Sequence, residues 1–230
     1  MYCYICEAPS VGMCGQCDRF YCSTHAGRPT GGQKPSCKVC AIGETDKGFS
    51  WEAGQLVTEI VNANKPASPV SEVALSQDQA ARLLDILLSM LASSQNKSVR
   101  GLVANSLRPL VEYSQATPGS LVREWPLFQI AWRSLRALIE TLDDEEYWVR
   151  FEAARTLIGA RCLESFRPIV ELWLEKDIDA FPSNIMQQLQ GLAEYDKIAQ
   201  RELQKVLVDL HAVGSGPGIS REHQPDQADE

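Results

Sequence analysis

The sequence predicts a mainly α-helical protein that begins with a small zinc finger. Two observations lead to this prediction: cysteines cluster in pairs at the N-terminus, and from Ser76 onward apolar residues recur at helical spacing. No alternation of apolar and polar residues competes with the helical pattern. We expect a finger over residues 1–42, a linker with a short helix over 43–75, an all-α domain over 76–213 and a disordered tail over 214–230.

The N-terminal segment has the composition of a metal-binding module. Seven of the eight cysteines and one of the three histidines lie there, in pairs separated by two residues. The pairs are Cys3 and Cys6, Cys14 and Cys17, Cys22 and His25, and Cys37 and Cys40. Such a pair lets two side chains reach one ion at about 2.0–2.3 Å, and four thiolate or imidazole donors close a structural zinc site. Eight donors therefore predict two structural zinc ions with no position left open for catalysis.

The cellular setting follows from the same cysteines and from the charge. A disulfide framework would not explain a histidine in register with the cysteine pairs. We therefore expect a reducing, cytoplasmic location, in line with the lack of a signal-peptide pattern or a long apolar run. The formal net charge of −8 argues against nucleic acid or an anionic membrane lipid as the main partner.

The run from Cys14 to His25 resembles the middle of a B-box or FYVE finger, in which a CxxC pair is followed four residues later by CxxC or CxxH. Spacing alone does not say which pairs share an ion. The resemblance to these cross-brace fingers implies that the first and third pairs share one ion and the second and fourth pairs share the other. The implied ligands are Cys3, Cys6, Cys22 and His25 for the first zinc, and Cys14, Cys17, Cys37 and Cys40 for the second.

The resemblance is uneven within this group of fingers, and the differences bear on function. FYVE domains hold a phosphoinositide with a basic stretch before the second pair, whereas this chain has uncharged residues from Ser10 to Met13. RING fingers usually have a shorter gap between the second and third pairs and an inner histidine. A ligase-like factor that recruits a ubiquitin-conjugating enzyme therefore stays as the alternative to an interaction module.

The segment after the finger combines a short helix with a linker. Residues Trp51 to Asn62 have the apolar spacing of an amphipathic helix. Residues 65–71 contain two prolines, which forbid a continuous helix. The domain boundary is expected between about 43 and 72. The pattern does not say to which side the short helix belongs.

The all-α domain is predicted as a series of helices separated by polar breaks. Ser76 is expected to cap the first of them. The following helical segments are predicted over 97–113 and from about 127 to 139. A further helix follows the acidic run 143–146 and extends to about 160, and others are predicted over 164–175, 183–194 and 196–213.

An internal repeat links two of these segments. Val99, Arg100, Ala104 and Leu107 recur fifty positions later as Val149, Arg150, Ala154 and Leu157. The second copy, residues 138–159, resembles a HEAT repeat. This likeness implies that the valine and leucine pack between paired helices and that Arg150 pairs with an acidic turn residue, Asp143 or Asp144. Because the period exceeds the usual range of about 40–47 residues, an ordinary helical bundle stays open.

No catalytic motif accompanies the metal ligands. The sequence lacks a phosphate-binding glycine loop, a nucleophile elbow and a paired catalytic carboxylate motif. Cys162, the eighth cysteine, is expected to pack between helices. We therefore expect a non-enzymatic adaptor or scaffold that binds a protein partner, of an oligomeric state that the sequence does not specify.

Overall fold

The computed structural model describes residues 1–27, 35–43, 51–64, 75–115, 126–175 and 183–214. Within these ranges the protein is mainly α-helical, which confirms the predicted fold class. The finger contains a short antiparallel hairpin of β1 (Gly12–Met13) and β2 (Phe20–Tyr21), with Gly12 opposite Tyr21. The predicted linker over 65–71 and the predicted tail beyond Gly214 lie outside the described residues.

The helices account for most of the described chain. In order they are α1 (Lys38–Gly43), α2 (Trp51–Ala63), α3 (Gln77–Ser93), α4 (Lys97–Ser106), α5 (Arg108–Gln115), α6 (Pro126–Thr141), α7 (Tyr147–Gly159), α8 (Phe166–Glu175), α9 (Ser183–Tyr195) and α10 (Lys197–Gly214). A 3-10 turn, Leu163–Ser165, precedes α8. None of the helices within the described ranges is long and apolar enough to cross a membrane.

The start of α3 follows the predicted capping pattern. The Ser76 hydroxyl accepts a hydrogen bond from the Gln79 backbone N–H at 3.2 Å, and the Gln79 side chain accepts one from the Ser76 N–H at 2.8 Å. These two bonds satisfy backbone donors that the helix itself leaves unpaired.

The prediction of one helical segment over 97–113 is wrong, because the chain forms two helices that meet at Leu107. Pro109 is the physical reason. It has no N–H to continue the hydrogen-bond ladder, and its ring would clash inside a continuing helix, but it is tolerated in the first turn of α5.

The two copies of the sequence repeat stack on each other. Helix α3 packs on α4 and α6 packs on α7, while α4 lies along α7 and α3 lies along α6. Val99 and Leu107 of the first copy and Val149 and Leu157 of the second are all buried. Helices α9 and α10 form a further pair that contacts α7 and α8.

The acidic turn before α7 connects the copies in a way that corrects the predicted pairing. The Asp144 carboxylate accepts two hydrogen bonds from Arg100 of the first copy, both at 2.8 Å. Arg150 instead donates to the backbone carbonyls of Asp144 at 2.7 Å and Glu145 at 2.9 Å. Arg100 makes the equivalent backbone contact, to the carbonyl of Ser94 at 2.6 Å. The carboxylate therefore serves the neighbouring repeat, because stacking brings Arg100 over the turn.

Helix α2 is the element that joins the finger to the other helices. It contacts α1 of the finger on one side and α3, α4 and α5 on the other. Its Leu56, Val57 and Ile60 are completely buried. Ile5 and Ile42 of the finger belong to the same hydrophobic core. The finger therefore does not stand apart from the helices, since both share one core through α2.

Candidate metal centre and the adjoining cleft

The structure gathers the eight predicted ligands into two groups of four. Cys3, Cys6, Cys22 and His25 form one group, and Cys14, Cys17, Cys37 and Cys40 form the other. Within each group all ligand atoms lie within 4.8 Å of one another. The grouping is the one that the cross-brace resemblance implies. Cys162 takes part in neither group and is buried next to the 3-10 turn, in keeping with a packing role.

The first two knuckles share two backbone features. In each, the residue after the second cysteine has a positive φ, 61° at Glu7 and 55° at Asp18. The N–H of this residue donates to the carbonyl of the first cysteine of the pair. The distance is 2.9 Å from Glu7 to Cys3 and 3.0 Å from Asp18 to Cys14. This tight turn leaves the two sulfurs of each pair on one side. The local geometry is therefore set by a spacing that the sequence displays.

The donor separations fit a tetrahedral ion. With metal–sulfur distances near 2.3 Å and metal–nitrogen distances near 2.0–2.1 Å, neighbouring donors should lie about 3.6–3.8 Å apart. In the first group the His25 Nδ1 lies 3.4 Å from the Cys3 sulfur and 3.3 Å from the Cys22 sulfur, and the Cys6 and Cys22 sulfurs are 3.6 Å apart. In the second group the Cys17 and Cys37 sulfurs are 3.9 Å apart. Both groups fit a four-coordinate ion that favours sulfur, such as zinc.

The acidity of the thiols also favours a bound cation. Burial raises the pKa of Cys3 and Cys14, but surrounding backbone N–H groups outweigh it and bring the values to about 7 and about 6. Burial and the neighbouring sulfurs of Cys22 and Cys3 raise the pKa of Cys6 to about 12. Burial and the sulfurs of Cys17 and Cys37 likewise raise the pKa of Cys40. A cation bound in each cluster would balance the sulfur charges that raise the pKa of Cys6 and Cys40.

A carboxylate from outside the finger contacts the one imidazole ligand. Glu59 of α2 lies 2.6 Å from the His25 Nε2, and its other oxygen accepts a hydrogen bond from the Lys38 ammonium at 2.9 Å. Burial alone would lower the pKa of His25, whereas Glu59 raises it to about 9. Burial opposes ionisation of Glu59, yet His25 and Lys38 together hold its pKa below the usual value. Glu59 is not predicted as a site residue from the sequence, since a glutamate on a helix carries no local sign of a metal-site contact.

A cleft lies beside this junction. Its volume is about 780 Å³, and its walls come from the finger, α2 and the α4–α5 corner. The residues that line it include Thr24, Gln55, Thr58, Leu102, Asn105 and Pro109. Within the described part of the chain, the Gln55 and Asn105 carboxamides have no hydrogen-bond partner. A side chain at Gly54 would enter open space, because nothing lies within 4 Å of its Cβ position.

Helix α7 carries an aromatic cluster, which we define as Tyr147, Trp148 and Phe151. Tyr147 and Trp148 are each 40% exposed. Their rings stack on Phe151 with centroid distances of 6.4 Å and 5.6 Å. The guanidinium of Arg155 lies 5.9 Å from the Phe151 ring. The cluster places large, partly exposed rings next to α4.

No family model, curated protein or solved structure matches this chain. The fold and the two donor groups nevertheless define a class: a zinc-finger-like N-terminus followed by a helical domain. The B-box and FYVE likeness rests on the sequence pattern of the finger.

Proposed function

We propose that this protein is a non-enzymatic adaptor that binds a protein partner in the cleft beside its finger. The cleft is the observation that carries the proposal, because it is concave and has the size of a typical ligand site. The two closed donor groups support a structural role for zinc, since a catalytic zinc keeps one position open. The metal would cross-link the knuckles, and the surface around them would bind the partner.

The chemistry of the cleft suits an extended peptide segment. A carboxamide offers both a donor and an acceptor, as a peptide bond does, and the cleft presents two of them, on Gln55 and Asn105. Leu102 and Pro109 add apolar surface for side chains of the peptide. Lys38 and Glu59 neutralise each other at the wall, so no unpaired charge from this pair selects the ligand.

The aromatic cluster of α7 lies on a helix that packs against α4, one wall of the cleft. Helix α4 contributes Leu102 and Asn105 to the cleft, and its Gly101 lies against Trp148 of the cluster. Tryptophan, tyrosine and arginine are the residues that most often dominate binding energy at protein interfaces. A partner that enters the cleft would therefore meet the cluster on the next helix.

A matched pair of glycines tests this proposal. Gly54 in α2 and Gly191 in α9 both leave open space at their Cβ positions, but only Gly54 lines the cleft. Affinity purification with mass spectrometry would identify partners, and titration of a recovered partner would then measure its affinity. We expect Gly54→Trp to weaken binding at least tenfold and Gly191→Trp to leave it unchanged. Equal affinity of both variants would contradict the proposal, as would turnover found in a substrate screen.

The ligase-like alternative makes a different prediction. A finger that recruits a conjugating enzyme should accelerate discharge of the loaded enzyme, and Cys14→Ser should abolish that activity. The adaptor proposal expects no acceleration by the intact protein.

A further inference from the structure

We propose that Glu59 is an outer-sphere residue of the first metal site and that it couples occupancy of that site to the docking of helix α2. This inference concerns the metal site and α2 alone, and it holds whatever partner the protein binds. It rests on four features: the orientation of His25, the contacts of His25 and Lys38 with the two Glu59 oxygens, the burial of α2 and the contrast with the second donor group.

The orientation of His25 assigns its two nitrogens different roles. Nδ1 points at the Cys3 and Cys22 sulfurs, and Nε2 points at Glu59. A metal on Nδ1 leaves the ring proton on Nε2, where the carboxylate accepts it. Carboxylates that bind ligand histidines in this way fix the tautomer and the ring orientation, and their loss typically costs 10–100-fold in metal affinity.

Lys38 holds the carboxylate in place from the other side. Its ammonium binds the second oxygen of Glu59, and its side chain is almost completely buried. Lys38 lies directly after Cys37, a ligand of the second group. Both Glu59 oxygens are therefore engaged by the finger, and Glu59 has little freedom to turn away from His25.

The position of Glu59 depends on the packing of α2 as a whole. On both sides of it along the helix, Leu56, Val57 and Ile60 are completely buried in the core shared with the finger. A shift of α2 within that core would carry Glu59 away from His25. Because linkage is reciprocal, the factor by which a docked α2 strengthens metal binding equals the factor by which the metal strengthens docking.

The second donor group provides a control within the same chain. It consists of four thiols and has no imidazole for a carboxylate to orient. Loss of the Glu59 charge should therefore act selectively on the first site.

The test compares Glu59→Gln with Glu112→Gln, which removes an exposed carboxylate on α5. Zinc affinity would be measured by competition with a chelator, with native mass spectrometry counting the ions at each step. We expect Glu59→Gln to weaken the first site 10–100-fold and the second site less than threefold, and Glu112→Gln to change neither. Hydrogen exchange of the zinc-loaded proteins should also be faster in α2 of Glu59→Gln. An unchanged first site, or an equal loss at both sites, would overturn the proposal.

A measurement on the unmodified protein covers the case in which Glu59→Gln fails to fold. Nitrogen-15 NMR of the zinc-loaded protein should show metal on Nδ1 of His25 and a slowly exchanging proton on Nε2. Metal on Nε2, or a rapidly exchanging Nε2 proton, would overturn the inference.

Discussion

Asp144 connects the two repeat copies through a single side chain. Its carboxylate binds Arg100 with two hydrogen bonds, and the two side chains are only 13% and 7% exposed. Its own oxygen also accepts the backbone N–H of Glu146, at the start of α7. One residue thus stabilises both a helix start and the contact between repeats.

Removing the charge of Asp144 should destabilise the protein strongly. Breaking a largely buried ion pair leaves the other charge without compensation, which costs about 3–5 kcal/mol when burial is complete. Because Asp144 keeps some exposure, we expect Asp144→Asn to lower the free energy of unfolding by about 2–4 kcal/mol at pH 7. Urea denaturation would measure this change in the free energy of unfolding. Glu112→Gln, at an exposed pair with Arg108, should cost less than about 1 kcal/mol.

The same pair should make stability depend on pH. Burial raises the pKa of Asp144, but the hydrogen bonds and charge of Arg100 lower it by a larger amount. The pKa of Asp144 in the folded protein therefore lies below the ordinary value. The resulting stabilisation is present above the unfolded pKa of about 3.9 and is lost as the pH falls through the folded value. The stability difference between the native protein and Asp144→Asn should therefore shrink below about pH 4. A difference that stays constant down to pH 2 would contradict this assignment.

At the scale of elements, the packing of α4 on α7 depends on the absence of a side chain at Gly101. A Cβ there would lie 2.7 Å from the Trp148 Nε1 and 2.9 Å from its Cδ1. The glycine therefore allows the indole to lie close against α4, which supports the aromatic cluster. Arg108, at the start of α5, contacts Gly159 at the end of α7 in a similar way, with its guanidinium 3.1 Å from the Cβ position.

Two glycine substitutions should have opposite effects on stability. Gly101→Ala gains helix propensity but forces Trp148 out of its place, so we expect a net loss of about 1–2 kcal/mol. Gly191→Ala meets open space and should stabilise the protein by about 0.5–1 kcal/mol. Thermal unfolding followed by circular dichroism would measure both, and tryptophan fluorescence should report the movement of Trp148. Stabilisation by Gly101→Ala would contradict the packing described for α4 and α7.

At the scale of the whole molecule, the donor grouping predicts a defined response to mutation. Native mass spectrometry should show two zinc ions per chain. Cys3→Ser and Cys22→Ser should each remove one ion, and the double variant should still remove only one, because both ligands serve the first site. The combination of Cys3→Ser with Cys14→Ser should remove both ions. Loss of both ions in the first double variant would contradict the cross-brace grouping.

The shared core predicts that the finger and the helices unfold together. Ile42 belongs to the finger, yet it is completely buried in the core that contains α2 and α3. Ile42→Ala should therefore lower the stability of the helices by about 2–5 kcal/mol in one cooperative transition. Val11→Ala, at a position that is 66% exposed, should have almost no effect. A separate early transition that leaves the helical signal intact would show that the two parts unfold independently.

The elements with strong local signals were predicted well. The start of α3 follows from Ser76 and Gln79, and the ends of α9 and α10 lie within one or two residues of the prediction. The break at Leu107 was missed although Pro109 was visible, because the apolar pattern continues across it. The repeat predicted which valines and leucines are buried, but the pairing of Arg100 with Asp144 required knowledge of how the copies stack.

The candidate metal ligands and the helices follow from residues close together in the chain, and the sequence is therefore enough to predict both. A CxxC knuckle closes within one turn, and a helix follows from local caps and apolar spacing. Only the tertiary structure decided that α2 joins the finger to the helices, that Glu59 contacts His25 across 34 residues, and that Asp144 serves Arg100 across 44. These contacts form between surfaces that meet only when the whole core is packed. A local sequence pattern therefore does not predict them.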